Sequence, residues 1–186
     1  MVNKNISEDI SKILIPEENI KKRTLELSAE IEEDYKNKNL MLVGVLKGAF
    51  MFISDLSKKL PLRCSVDFIS ASSYGSKGTK SSGTVKILKD ISSDATNKHI
   101  LIVEDILDSG TTLNFVVNFL KQKKPASVGI CTLLNKPSRR KFDVTAKYIG
   151  FTIEDEFVVG YGLGYNEEYR NLPYVGVLKK EIWEKA

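Results

Sequence analysis

Between Ile100 and Leu113 the chain reads ILIVEDILDSGTTL, which puts three acids and a hydroxyl-rich turn directly behind an apolar run. Glu104 and Asp105 follow the four apolar residues, Asp108 comes three residues later, and Ser109, Gly110, Thr111 and Thr112 open what reads as a helix. A hydroxyl–glycine turn at a helix start is a seat for a phosphate. Glycine lets the backbone approach closely, and the free N–H groups and the helix dipole favour an anion. Three carboxylates beside such a seat repel an anionic ligand unless they meet hydroxyls, protons or a divalent cation. The combination points to a sugar phosphate held with magnesium. The spacing is neither G-x-x-x-x-G-K-[ST] nor G-x-G-x-x-G, so neither an NTPase phosphate loop nor a dinucleotide fingerprint is present.

The surrounding elements must bring that string to an open edge. Glu17–Lys36 carries Ile20, Thr24, Leu27, Ile31 and Tyr35 at helical spacing after Pro16. Leu40–Leu46 is a continuous apolar run, as expected of a strand buried on both faces. Lys47 and Gly48 interrupt it, and Ala49–Lys59 reads as a helix stopped by Pro61. Strands are expected at Cys64–Ser73, Val85–Leu88, Ile100–Val103, Val128–Leu134, Val144–Phe151, Phe157–Tyr161 and Val175–Leu178. A helix is expected at Thr111–Lys121 and a helical turn at Glu181–Lys185. Alternating apolar strands and helices predict an α/β fold with a mainly parallel sheet, and 186 residues suit one domain. Tyr74–Gly83, rich in Gly, Ser and Lys, reads as a surface loop.

Composition narrows the classes further. The chain carries 28 Lys and Arg against 24 Asp and Glu. Residues 121–147 hold eight of those bases and one acid, while the remainder carries 20 bases and 23 acids. That lumped charge suits an anionic partner, whether nucleic acid, membrane surface or phosphorylated small molecule. The longest apolar run falls far short of the roughly 18–20 residues that span a bilayer. The first residues carry acids where a signal peptide needs an apolar core. Cys64 and Cys131 lie in apolar stretches and are expected to be reduced core residues, and a cytoplasmic location follows as the default. One histidine, His99, excludes a multi-histidine metal site. Trp183 is expected to pack the last turn onto the domain. Arg139, Arg140 and Lys141 are expected to serve a subunit contact or the general field.

VEDILDSGTT resembles the phosphoribosyl pyrophosphate signature of the type I phosphoribosyltransferases. GVLKGAF (44–50), SSYGS (72–76), LLNKP (133–137) and FVVGYGLGYNEEYRNLPYVGVL (157–178) narrow the resemblance to the hypoxanthine-guanine phosphoribosyltransferases, over about residues 13–178. The resemblance implies a Rossmann-like mainly parallel sheet flanked by helices. The core spans about 36–165, a small hood is built from the N- and C-terminal segments, and a mobile flap covers about 73–84. It implies transfer of phosphoribosyl from phosphoribosyl pyrophosphate to hypoxanthine or guanine, giving IMP or GMP and pyrophosphate, with Mg2+ as cofactor. Glu104 and Asp105 then face the ribose and metal. Asp108, Ser109, Gly110, Thr111 and Thr112 hold the 5′-phosphate, and Asp108 exchanges a proton with the imidazole-ring nitrogen of the purine. Lys136 bonds the 6-oxo group, Phe157 stacks on the base, and Val158 reads its edge through the backbone. Lys47, Gly48 and Arg170 bind pyrophosphate, with a cis peptide at Leu46–Lys47, and Ser73 and Tyr74 in the flap close over it. One departure stands out: the family's GYGLDY is GYGLGY here, so Gly164 replaces the aspartate that usually serves the second metal.

A xanthine-preferring or pyrimidine enzyme of the same fold, a catalytically dead homologue, and an RNA-binding regulator built on that fold are the competing readings. The resemblance also implies a homodimer or homotetramer.

Overall fold

The computed structural model describes residues 6–74 and 84–184. A 3-10 turn, Ile6–Asp9, leads into β1 (Ile10–Ile15) and α1 (Glu17–Tyr35). Then follow β2 (Leu40–Leu46), α2 (Phe50–Lys59), β3 (Cys64–Tyr74), β4 (Thr84–Lys89) and β5 (His99–Leu107). The chain continues through α3 (Thr111–Lys121), β6 (Ser127–Asn135), β7 (Tyr148–Thr152), β8 (Val158–Val159), β9 (Val175–Leu178) and α4 (Lys180–Trp183).

Six strands form one sheet in the order β4-β3-β2-β5-β6-β7. All neighbours pair in parallel except β4, which runs antiparallel on the β3 edge. Its strands alternate faces, and the two cores follow from that period of two. Leu40 and Leu42 of β2 and Leu101 and Val103 of β5 face α1 and α2, where Ile20, Leu27, Ile31, Phe52 and Leu56 are buried against them. Met41, Val43, Val45, Ile100 and Ile102 face the other way, onto Leu113, Val116 and Leu120 of α3. Strands buried on both faces must be apolar throughout, which is why LMLVGVL and ILIV carry no alternation.

From β2 the chain crosses through α2 to β3, and from β5 it crosses through α3 to β6, in the opposite direction along the sheet. The carboxyl ends of β2 and β5 therefore flank a topological switch point, where open α/β sheets bind ligands. A second sheet, β1-β9-β8, is antiparallel. Val158, Val175 and Val177 of this sheet belong to the α1–α2 core, and the Tyr161 hydroxyl donates to Asp55 Oδ2 at 2.7 Å.

Two expectations need correction, and one strand lay outside them. Val144–Phe151 is not one strand. Val144 N–H bonds back to the Phe142 carbonyl, so ordered pairing starts only at Tyr148. Phe157–Tyr161 shrinks to Val158–Val159, because Gly160 and Tyr161 take positive φ of 97° and 49° and break the ladder. Strand β1 carries no sequence signal, since ISKILI does not alternate cleanly. Its pairing with β9, some 165 residues away, fixes it. Residues 75–83 of the expected flap lie outside the described residues. Ser73 and Tyr74 are paired by backbone with Val85 and Thr84 at the end of β3.

Candidate active site

The cleft at the switch point measures about 280 Å³ and is lined by Val45, Leu46, Gly48, Ala71 and the whole run Glu104–Leu113. Two turns frame it. The first follows β2, where the Leu46–Lys47 peptide is cis, as the resemblance implies. The second follows β5 and carries the acids and the hydroxyl turn.

Glu104 and Asp105 are buried, 7% and 9% exposed. Asp105 Oδ1 accepts the Ile106 N–H at 2.7 Å, and Glu104 Oε1 accepts the Asp105 N–H at 3.2 Å. Burial pushes both carboxyls up, and the adjacent Asp105 charge lifts Glu104 further; the Arg170 charge partly offsets the rise at Asp105. A Cβ on Gly48 would lie 1.6 Å from Asp105 Oδ2, and a Cβ on Gly162 would lie 2.0 Å from the Gly48 carbonyl oxygen. The backbone at 162, the backbone at 48 and the Asp105 carboxylate are thus stacked at distances that only glycine permits.

Among the described residues no group of three His, Cys, Asp or Glu converges to hold a metal by itself. The donor set nevertheless fits magnesium. Two adjacent buried carboxylates offer hard oxygen ligands, and Mg2+ commonly takes one or two carboxylates and completes its shell with water and substrate phosphate oxygens.

Gly110 opens α3 at φ 80°, and the Ser109 and Thr111 hydroxyls lie 3.0 Å apart across the turn. Behind this turn stands Arg140. Its Nε donates to the Asp108 carbonyl at 2.9 Å, Nη2 to the Leu107 carbonyl at 3.1 Å and to Asn135 Oδ1 at 2.7 Å, and Nη1 to the Val144 carbonyl at 2.5 Å. The Lys141 N–H adds a bond to the Ser109 carbonyl at 2.9 Å. Arg140 therefore clamps the hydroxyl turn from within the same chain. Its place in a basic run gave no hint of this, because a run of like residues does not show which member turns inward.

Asp108 keeps one carboxylate oxygen, Oδ1, enclosed and without a hydrogen-bond partner, 3.8 Å from Arg139 Nε. Lys136 is buried at 5% exposure, its Nζ bonded to the Glu156 carbonyl at 2.8 Å and 3.3 Å from Asp155 Oδ1. Phe157 follows directly. Its ring meets Tyr165 edge-on at 5.6 Å and lies parallel to Trp183 at 5.0 Å. Trp183 thus packs the last turn onto the domain, as expected, with Phe157 as its stacking partner. His99 bonds Ser127 Oγ at 2.8 Å at the opposite, amino-terminal end of β5, away from the cleft.

On the far side of the cleft, Lys47 Nζ pairs with Glu167 Oε2 at 2.5 Å, and Arg170 Nη2 lies 3.4 Å from Glu167 Oε1. Arg170 also donates to the Gly162 carbonyl at 2.8 Å. A Cβ on Gly164 would meet the Arg170 side chain at 2.7–2.9 Å, so the space beside the departing glycine is filled by Arg170.

The phosphoribosyl transferase domain model matches residues 12–166. A Staphylococcus epidermidis protein named hypoxanthine-guanine phosphoribosyltransferase is 51% identical over 177 residues, covering 95% of this chain and 98% of that one. A crystal structure of a hypoxanthine phosphoribosyltransferase from Staphylococcus aureus superposes with a TM-score of 0.92 at 49% identity, covering 98% and 99% of the two chains. One of a hypoxanthine-guanine phosphoribosyltransferase from Bacillus anthracis gives 0.85 at 44%, covering 91% and 98%. A switch-point cleft with paired buried acids and a clamped hydroxyl turn, together with these matches, establishes that the chain belongs to the phosphoribosyl transferase domain family.

Proposed function

We propose that the protein is a purine-salvage enzyme that transfers phosphoribosyl from phosphoribosyl pyrophosphate to hypoxanthine or guanine and releases pyrophosphate. The observation that carries this reading is the meeting, in one cleft, of two buried carboxylates and the Ser109–Thr112 turn, with Lys136 beside it through the bond of its backbone N–H to the Leu107 carbonyl. The turn suits the 5′-phosphate, which gains the hydroxyls and free N–H groups of the α3 start. Glu104 and Asp105 suit the ribose hydroxyls. Magnesium, when bound there, supplies the charge that offsets the pyrophosphate leaving group.

Lys136 offers donors only, so it matches a 6-oxo acceptor and opposes a 6-amino donor. Phe157 provides the stacking face and Val158 the backbone edge. As the bond from ribose C1 to pyrophosphate breaks, positive charge builds on the ribose. The base nitrogen attacks, and Asp108 exchanges the proton of the imidazole ring as general base or acid. Lys47, Gly48 and Arg170 receive the pyrophosphate, with Arg170 suited to two-pronged phosphate contact. Ser73 and Tyr74 at the end of β3 are the residues that the resemblance sets over the pyrophosphate, where water, the wrong nucleophile here, must be kept out. A homodimer or homotetramer working in the cytoplasm completes the reading.

The test is pyrophosphate release with hypoxanthine, guanine, xanthine, adenine and uracil across a magnesium titration. The expected result is turnover with hypoxanthine and guanine that requires magnesium. Preference for xanthine or uracil would overturn the choice of base, and no release with any base would overturn the activity.

A further inference from the structure

We propose that Trp183 is a positioning residue for the base, acting through Phe157; this rests on the reading that the purine stacks on Phe157. The Phe157 ring is held on two sides by protein. Trp183 covers one face, with ring centroids 5.0 Å apart and planes within 11°. Tyr165 meets its edge at 5.6 Å and 86°. A base therefore stacks on the opposite face, and the order is Trp183, Phe157, base.

Backbone geometry ties the two aromatic residues together. Leu178 N–H bonds to the Phe157 carbonyl at 2.9 Å, and Val158 pairs with Val177. β9 then runs directly into α4, which carries Trp183. The ladder that fixes the chain at 157 also fixes the turn that brings the indole back over its ring. Among the described residues the enclosed indole N–H has no hydrogen-bond partner, so the ring face rather than a polar anchor sets its place. The preceding residue, Glu156, accepts Lys136 Nζ through its carbonyl, so the stacking plane and the 6-oxo donor are set by adjacent residues. An aromatic ring on a partly exposed segment loses rotamer freedom when a base binds. A parallel partner orders it beforehand and adds a stacking contribution of its own.

Trp183→Leu keeps apolar bulk but removes the aromatic face, and Trp183→Phe restores a face. The Leu variant is expected to raise KM for hypoxanthine about three- to tenfold, in line with the usual worth of an aromatic pair. KM for phosphoribosyl pyrophosphate and kcat should stay within about twofold. The Phe variant should bring the hypoxanthine KM back to within about twofold of wild type. A thermal melt of each variant separates folding from positioning. An unchanged hypoxanthine KM in the Leu variant overturns the proposal. So does a lowered KM, which would mean that Trp183 occupies the place of the base. If Phe157→Leu also leaves the hypoxanthine KM unchanged, the stacking role of Phe157 fails with it. If Phe157→Leu raises KM and Trp183→Leu does not, only the role of Trp183 fails.

Discussion

One oxygen of Asp108 is enclosed without a donor while the main chain at the same residue is held by Arg140. The protein thus leaves this acceptor over, 3.8 Å from Arg139 Nε, while the backbone that carries it is held in place. Asp108→Asn keeps the shape and removes the proton acceptor. Its kcat is expected to fall about 10²- to 10⁴-fold with KM for phosphoribosyl pyrophosphate nearly unchanged, measured by initial rates. Arg140→Lys tests the other half. Lysine keeps the charge but cannot reach Leu107, Asp108, Asn135 and Val144 from one planar group. The variant should raise KM for phosphoribosyl pyrophosphate about tenfold or more and lower the melting temperature. An unchanged KM would mean that the turn holds its shape without the clamp. At this scale the sequence was most legible where chemistry dictates residue type. The acids and the hydroxyl turn could be picked out from their order alone, whereas Lys136 came only with the family resemblance. The contacts of Arg140 and Trp183 could not, because a half-buried arginine and a stacked tryptophan meet residues far along the chain.

Between elements, Asp67 on β3 holds the turn after β4. Its carboxylate accepts the N–H groups of Phe68, Ser92 and Ser93 at 2.7–2.8 Å. Burial alone would push this group up, but those bonds outweigh it and hold it down to about 2. Because the folded value lies below the unfolded one near 3.8, the contribution is complete above about pH 4 and is lost as pH falls toward 2. Asp67→Asn should therefore cost roughly 2 kcal/mol at neutral pH, with the deficit shrinking in acid, as read by urea melts at pH 7 and pH 3. A deficit that does not shrink would show that packing rather than charge is at stake. The long helices and the two-sided strands were readable because their periods are local. Strand β1 and the shortened β8 were not. The first exists through pairing with β9, and the second ends where positive φ at 160–161 overrides an apolar run.

Across the whole molecule, half of the eight bases in the stretch 121–147 are paired or turned inward. Lys123 pairs with Asp90 at 2.5 Å and Lys147 with Asp34 at 2.8 Å, while Lys136 and Arg140 point inward. That leaves less free charge to meet a phosphate backbone. Single-stranded RNA is accordingly expected to bind no more tightly than about 10⁻⁴ M near physiological salt, the level of general charge attraction. Sub-micromolar binding with a steep salt slope would revive the regulator. No helix among the described residues is long and apolar enough to cross a membrane. The stack of 162 on 48 on Asp105 has a consequence for how such a chain can diverge. A crowded side chain is usually relieved by trimming its neighbour, but the neighbour of Gly162 is a main-chain carbonyl and that of Gly48 is a carboxylate of the cleft. A side chain at either place must therefore push aside the Gly48 main chain or the Asp105 carboxylate, both of which line the cleft. Gly164 faces a flexible arginine side chain instead, which can swing aside to admit a larger residue such as the aspartate of the GYGLDY pattern.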